Sequence, residues 1–226
     1  MGNTMVRVFT AIKNAALAAV MVIFAMGASA SATVISQGPP PDGAPGFSSN
    51  FGVEQSSTQV IFTNDALITN LRWWGNDFDG LGEADDFTIR LFSDVGGAPS
   101  IEPTIELTGL TVLESATGLF DDFGVPIIQY DAAFVSPLDV MAGAFFLSIV
   151  NNFLGDSWLW STFNTDGDNF FRFVDGEPWE FGGGGALAFE ITTQDVGEIP
   201  IGFAWIYFLS AFAGFAGIRR TRHKSA

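Results

Sequence analysis

Carboxylates are the chemistry that this chain has in supply. Asp77, Asp79, Glu83, Asp85 and Asp86 fall within the stretch Asn76–Asp86, which Gly80 and Gly82 punctuate. Hard cations take about six to eight oxygen ligands, and a loop with acids at alternate positions and glycine at its bends supplies them. The chain is expected to need no cofactor or, alternatively, to bind calcium at this stretch. A second stretch, Asn164-Thr165-Asp166-Gly167-Asp168-Asn169, has the same character. Neither reproduces EF-hand spacing, and Asn-Asp-Gly clusters also make ordinary hairpin turns. Glycosidase chemistry needs two acids about 5–10 Å apart. Asp85 and Asp86 are adjacent, so in a strand they would point to opposite faces.

Flat aromatic rings are the second resource. Trp73, Trp74, Trp158, Trp160 and Trp179, with Tyr130, could offer platforms on which sugar rings stack. Trp73 and Trp74 are the expected glycan-binding pair. As neighbours in a strand they must face opposite ways, one into the core and the other outward or under a loop. Trp158 and Trp160, two apart, share a face, and large aromatics supply much of a sandwich core.

Other chemistry is closed by composition. The chain has no Cys, and its single His is His223, close to the end. Serine nucleophiles relying on a histidine base and zinc sites with His or Cys ligands are thereby excluded from the body of the chain. No disulfide framework is possible. We expect no catalytic residues and no enzyme.

The net charge of −16 divides unevenly. Arg7, Lys13, Arg219, Arg220, Arg222 and Lys224 lie at the ends, leaving Arg72, Arg90 and Arg172 against 25 acids between Asp42 and Glu198, a charge of −22. Such a surface repels nucleic acid and favours cations and basic partners. The three arginines, each in a candidate strand amid excess carboxylate, are expected to form structural ion pairs.

The elements that must position these residues are strands. Phe87, Ile89 and Leu91 alternate with Thr88 and Arg90; Ile128, Tyr130, Ala132 and Phe134 alternate with polar residues and Ala133; Leu187, Phe189 and Ile191 do the same. Further strands are expected over Thr58–Thr63, Leu67–Trp74, Thr104–Leu107, Thr111–Ser115, Ala144–Val150, Trp158–Thr162 and Phe170–Val174. Turns are expected at clusters such as Gly96–Pro99 and Gly182–Gly185. Ser36–Ser49, rich in Pro and Gly, reads as an extended arm. The fold class is all-β, an antiparallel β-sandwich of jelly-roll type, flanked by an N-terminal signal helix and a C-terminal transmembrane helix.

Both flanks are written in hydropathy. Arg7 and Lys13 precede the apolar Ala15–Met26, and Ala28-Ser29-Ala30 and Ala30-Ser31-Ala32 offer small-x-small cleavage patterns. Residues 1–32 are expected to be a signal peptide, with the mature chain starting at Ser31 or Thr33. Residues 33–193 form the β-sandwich ectodomain and 194–198 a linker. Beyond Pro200 the uncharged run Ile201–Ile218 reaches roughly 27 Å at about 1.5 Å per helical residue, enough for a thin bilayer. The basic Arg219–Lys224 that follows stays cytoplasmic. Proline without a backbone N–H suits the first helical turn.

The segment 199–226 resembles a PEP-CTERM sorting signal, most closely its VPLPA variant. The residues that carry the likeness are Ile199-Pro200-Ile201-Gly202-Phe203-Ala204-Trp205, the apolar Phe208–Ile218 with small residues towards its end, and Arg219-Arg220. Ile199 stands where that variant has Val, and Gly202 where it has a second Pro. The resemblance implies sorting by an exosortase, a membrane-embedded cysteine transpeptidase-like enzyme of Gram-negative bacteria that make extracellular polysaccharide. Ile199, Pro200, Arg219 and Arg220 are then the sorting and processing residues. The expected location is the inner membrane through the C-terminal helix, then the cell surface or extracellular matrix, with extracellular polysaccharide as a further partner. Leu71–Gly75, Ala84–Phe92, Gly96–Pro99, Gly143–Ile149, Phe170–Arg172 and Leu187–Glu190 are similar to a pattern common in PEP-CTERM ectodomains, which implies a fold and no activity. Two functions are expected: a non-catalytic surface or matrix protein or, alternatively, a calcium- or carbohydrate-binding module.

Overall fold

Alternation of apolar and polar residues builds twelve strands. The structure, a computed structural model, describes residues 32–76, 85–153 and 157–195. The strands are β1 (Ala32–Ser36), β2 (Gly46–Ser48), β3 (Gln55–Phe62), β4 (Ala66–Asn76), β5 (Phe87–Ser93), β6 (Ile105–Leu107), β7 (Val112–Phe120), β8 (Pro126–Val140), β9 (Gly143–Asn151), β10 (Leu159–Arg172), β11 (Glu180–Leu187) and β12 (Phe189–Asp195). The described residues contain no helix. None of them forms a helix long and apolar enough to cross a membrane. The expected signal peptide, transmembrane helix and sorting residues Ile199, Pro200, Arg219 and Arg220 lie outside the described residues.

All named strands pair antiparallel in one open sheet. Its first half runs β1-β12-β4-β8-β7 and its second β11-β10-β3-β9-β5-β6. Strand β10 joins them: Leu159 and Trp160 pair with Asn76 and Gly75 of β4, while Asn169 to Arg172 pair with Thr58 to Gln55 of β3.

The two halves share one core, which makes the body sandwich-like. Leu71 and Trp73 of β4, Tyr130 of β8 and Ile191 of β12 pack in the same cluster as Val60 of β3, Ile89 and Leu91 of β5, and Leu147 and Ile149 of β9. Register aligns them, since Leu71 lies opposite Ile191, Trp73 opposite Tyr130, and Ile89 opposite Ile149. The period of two thus puts one apolar row of each half against the other.

Three local expectations are corrected. The extended Ser36–Ser49 arm does not lead into the first strand, since β1 precedes it, and it is docked: Thr162 N donates to Pro45 O (2.9 Å), Gly43 N to Phe120 O (2.7 Å), and β2 pairs with β10. Trp158–Thr162 and Phe170–Val174 are not separated by a turn, because β10 runs through the interval with register shifts. Gly182–Gly185 is not a turn either but part of β11. A Cβ on Gly182 would collide with the Asn169 amide, and one on Gly167 would lie 2.7 Å from the Ala186 Cβ. Absent side chains let β10 and β11 approach closely across the irregular register.

Candidate functional site

The acidic stretch expected to hold calcium begins and ends on fixed residues. At its start, Asn76 is buried at the end of β4 and its Nδ2 donates to Asp121 Oδ2. Asp121 is itself set by the turn after β7, where its Oδ1 accepts from Phe123 N (2.9 Å) and Val125 N (2.7 Å). At the far end Asp85, half-buried just before β5, accepts from Asn151 Nδ2 at 3.0 Å. Asp86 is exposed and its carbonyl accepts from Asn152 N at 2.7 Å. Asp77, Asp79 and Glu83 lie outside the described residues. Among the described residues no group of three or more His, Asp or Glu is placed to hold a metal ion.

The tryptophan pair does diverge to opposite faces, but neither face is open. Trp73 is 0% exposed in the shared core, stacked on Tyr130 (centroids 5.6 Å, 11°) and edge-on to Phe87 (5.2 Å). Trp74 is 3% exposed in a smaller cluster with Ala44, Ile127 and Ala188, against which Leu119 and Phe163 pack. The glycan platform expected on Trp73 and Trp74 is therefore corrected: the outward ring is roofed by the ordered segment around Ala44, and a stacked sugar needs an open face. Trp158 and Trp160 are also fully buried.

Around Trp73 the rings form a continuous cluster. Phe87 meets Trp73, Tyr130 and Trp158 at 5.0–5.2 Å. Trp158 packs so closely on β4 that a Cβ on Gly75 would lie 2.5 Å from its ring. Trp160 Nε1 donates to Ala188 O at 2.9 Å. The Trp73 and Trp158 indole nitrogens, the Tyr130 hydroxyl and Asn76 Oδ1 are buried without a hydrogen-bond partner. The Tyr130 hydroxyl is near enough to feel Asp85 and Trp158 but makes a proper bond to neither, and its pKa is raised by burial and then by the Asp85 charge.

The arginines do form ion pairs. On the outer face of the first half, Arg72 lies between Asp131 and Glu190 in register and bonds both, at 2.8 and 3.1 Å. Its pKa is raised: partial burial opposes the charge, but the two carboxylates outweigh it.

The outer face of the second half carries a denser network. Arg90 Nε bonds Glu106 (2.7 Å), and its terminal nitrogens take both Asp175 oxygens (2.8 and 3.2 Å). Arg172, 2% exposed, bonds Gln55 Oε1 (3.0 Å), Ile101 O (2.8 Å) and Asp175 (2.6 Å). Its guanidinium also lies over Trp179 (4.5 Å) and Phe92 (5.1 Å), and Trp179 Nε1 is tied to Ser100 O.

Burial lowers the Arg172 pKa despite Asp175, and the nearby Arg90 adds to that. Partial burial alone would raise the Asp175 carboxyl, but the Gln55 hydrogen bond and the two guanidiniums hold it below its ordinary value of 3.8. Beside these groups is a solvent-open cavity of about 350 Å³, walled by Arg90, Arg172, Asp175, Glu102 and Glu106. With each guanidinium engaged by carboxylates, the arrangement clamps the loops over the sheet. Gln55 and Asp175, central to it, carry no signal in the linear sequence beyond Asp175 following Arg172 by three.

Compared with protein-family models, characterised proteins and solved structures, the chain matches none.

Proposed function

We propose that this chain is a non-catalytic, exported protein of the cell surface or extracellular matrix, sorted through an exosortase-type signal at its C-terminal end. The carrying observation is the division of the sequence: an acidic body without Lys, His or Cys, then the uncharged Ile201–Ile218, then Arg219-Arg220. The pairing of β1 with β12 is compatible with it, because it sets the two ends of the described body side by side. The jelly-roll form of the sandwich belongs to the same reading and draws on the first half, where β12 lies between β1 and β4.

Mass determination on the protein from the culture medium and membrane fraction of the cells that make it tests the proposal. The expected result is a released form ending near Pro200. Full-length protein confined to the membrane would reduce the tail to a plain anchor.

A calcium site within Asn76–Asp86 is the second reading, favoured by the anchoring of Asn76 to Asp121 and of Asp85 to Asn151. Fixed ends reduce the entropy lost when the acids between them gather around an ion. A rise in melting temperature of several degrees at millimolar calcium is expected on this reading, since a ligand of the folded form stabilises it. An unchanged melting temperature removes it.

A further inference from the structure

Between β1 and β3 the sheet is open, and the opening is a cleft. Two contiguous cavities of about 460 and 290 Å³, both bordered by Ile35 and Ile61, run between β1 and β3. Phe189 and Ala186 border the larger one. Among the described strands, β1 is hydrogen-bonded to β12 alone. Gln37 N donates to Phe189 O, so by antiparallel alternation Ile35 and Thr33 bond β12 in the same way, while Val34 and Ser36 turn their N–H and C=O groups away from it. Across the cleft, β10 pairs with β3 only from Gln55 to Thr58, so Gln59 to Phe62 pair with β9 on one side alone.

Both lips carry apolar side chains in an acidic protein. Val34 and Ile61 are each 56% exposed. Asp168 borders the larger cavity and Asp65 the smaller, and among the described residues no Lys, Arg or His lines either. A second copy of the chain would bring like charge into the cleft, since the segment from Asp42 to Glu198 carries −22.

We propose that the cleft between β1 and β3 accepts an extended, cationic segment of a partner protein, which adds as a strand to the free edge of β1. Edge strands recruit extended peptides by main-chain hydrogen bonds, and alternate side chains then read the two environments. In this cleft the inward side chains of the segment meet Ile35, Val60 and Phe189, while its outward basic side chains lay their stems beside Val34 and Ile61 and bring their charges to Asp65 and Asp168. The inference is independent of how the C-terminal end is sorted.

The test uses the full chain in detergent and a fluorescent peptide of about eight residues, alternating Val and Lys. Saturable binding is expected, weakening above about 0.15 M salt, with slowed hydrogen exchange at the Val34 and Ser36 amides. A Val/Glu peptide should not bind. Val34→Pro removes an outward N–H that the fold does not use, at an edge position that tolerates proline, and should weaken binding about tenfold with the melting temperature retained. Asp168→Lys, at an exposed position, should weaken it by charge alone. The proposal is overturned if the two amides are unprotected, if Val34→Pro binds as well as the parent, or if Val/Glu binds equally. Protection of those amides by dimerisation, without peptide, would assign the edge to a second copy and also overturn it.

Discussion

The outer face of the second half and the aromatic cluster between the halves both bury polar atoms, but they treat them differently. Under the loops, Arg90 and Arg172 meet carboxylates, an amide and a carbonyl. Around Trp73, two indole nitrogens, the Tyr130 hydroxyl and Asn76 Oδ1 have no hydrogen-bond partner. Location is not the cause, because the hydroxyls of Ser57 and Ser148, opposite one another on the second half, are also buried without partners. What separates the groups is charge. An unpaired buried neutral group costs about 1–3 kcal/mol, whereas an unpaired buried ion costs several. The fold bears the first kind of cost repeatedly, and among the described residues each arginine is paired.

Removing a charge partner is the most severe way to break this contrast. Arg172→Ala leaves Ile101 O without its donor, leaves Gln55 and Asp175 to Arg90 alone, and takes the cation from over the Phe92 and Trp179 rings. A loss of about 2–4 kcal/mol in urea unfolding is expected from the lost charge-assisted hydrogen bonds and the lost packing of a buried side chain, with Arg172→Lys restoring only part because it lacks the planar fork. A loss below 1 kcal/mol would mean that the network is ornamental.

Crowding the aromatic cluster comes next. The Cβ of Gly75→Ala meets both the Trp158 ring and, at 2.6 Å, Leu159 O. Backbone cannot swing aside as a side chain can, so about 1–3 kcal/mol of destabilisation is expected. A shift in Trp fluorescence would locate the strain at the rings.

Acid titration separates the regions through Asp175. Its folded-state pKa is depressed, so its contribution is complete above the ordinary value of 3.8 and disappears as pH falls through the lower folded-state value. Stability of the parent should fall below about pH 4 more steeply than that of Asp175→Asn, measured as the difference between their urea midpoints. Parallel curves would show that the carboxylate gains nothing from its two arginines.

The smallest effect is expected from Tyr130→Phe. Deleting a hydroxyl that has no partner should leave stability within about 1 kcal/mol or raise it. A clear loss would reveal that the hydroxyl is satisfied after all, and the contrast between charged and neutral groups would narrow.

Much of the fold was legible because strand alternation is local. Phe87, Ile89 and Leu91 announce β5, and the same rule sends Trp73 and Trp74 to opposite faces. The rule says nothing about what lies over the second face, so Trp74 read as a platform and proved to be covered. The glycines of β11 were misread for a related reason: Gly182 looks like a turn residue until Asn169 is seen against it. At the acidic stretch the sequence supplied composition, whereas the anchors of Asp85 and Asn76, which are Asn151 at the end of β9 and Asp121 in the turn after β7, come from far along the chain.

The sequence by itself determined the strand period, the acidic body, the exclusion of thiol and imidazole chemistry from that body, and the hydropathy of both ends, all of which are sums over residues or their near neighbours. Tertiary structure alone decided that Asp175 serves two arginines, that Trp74 is roofed, and that β1 and β3 leave an open edge between them. Those outcomes depend on which strands meet, and pairing across more than a hundred residues is set by the joint burial of the whole core rather than by any segment's own pattern.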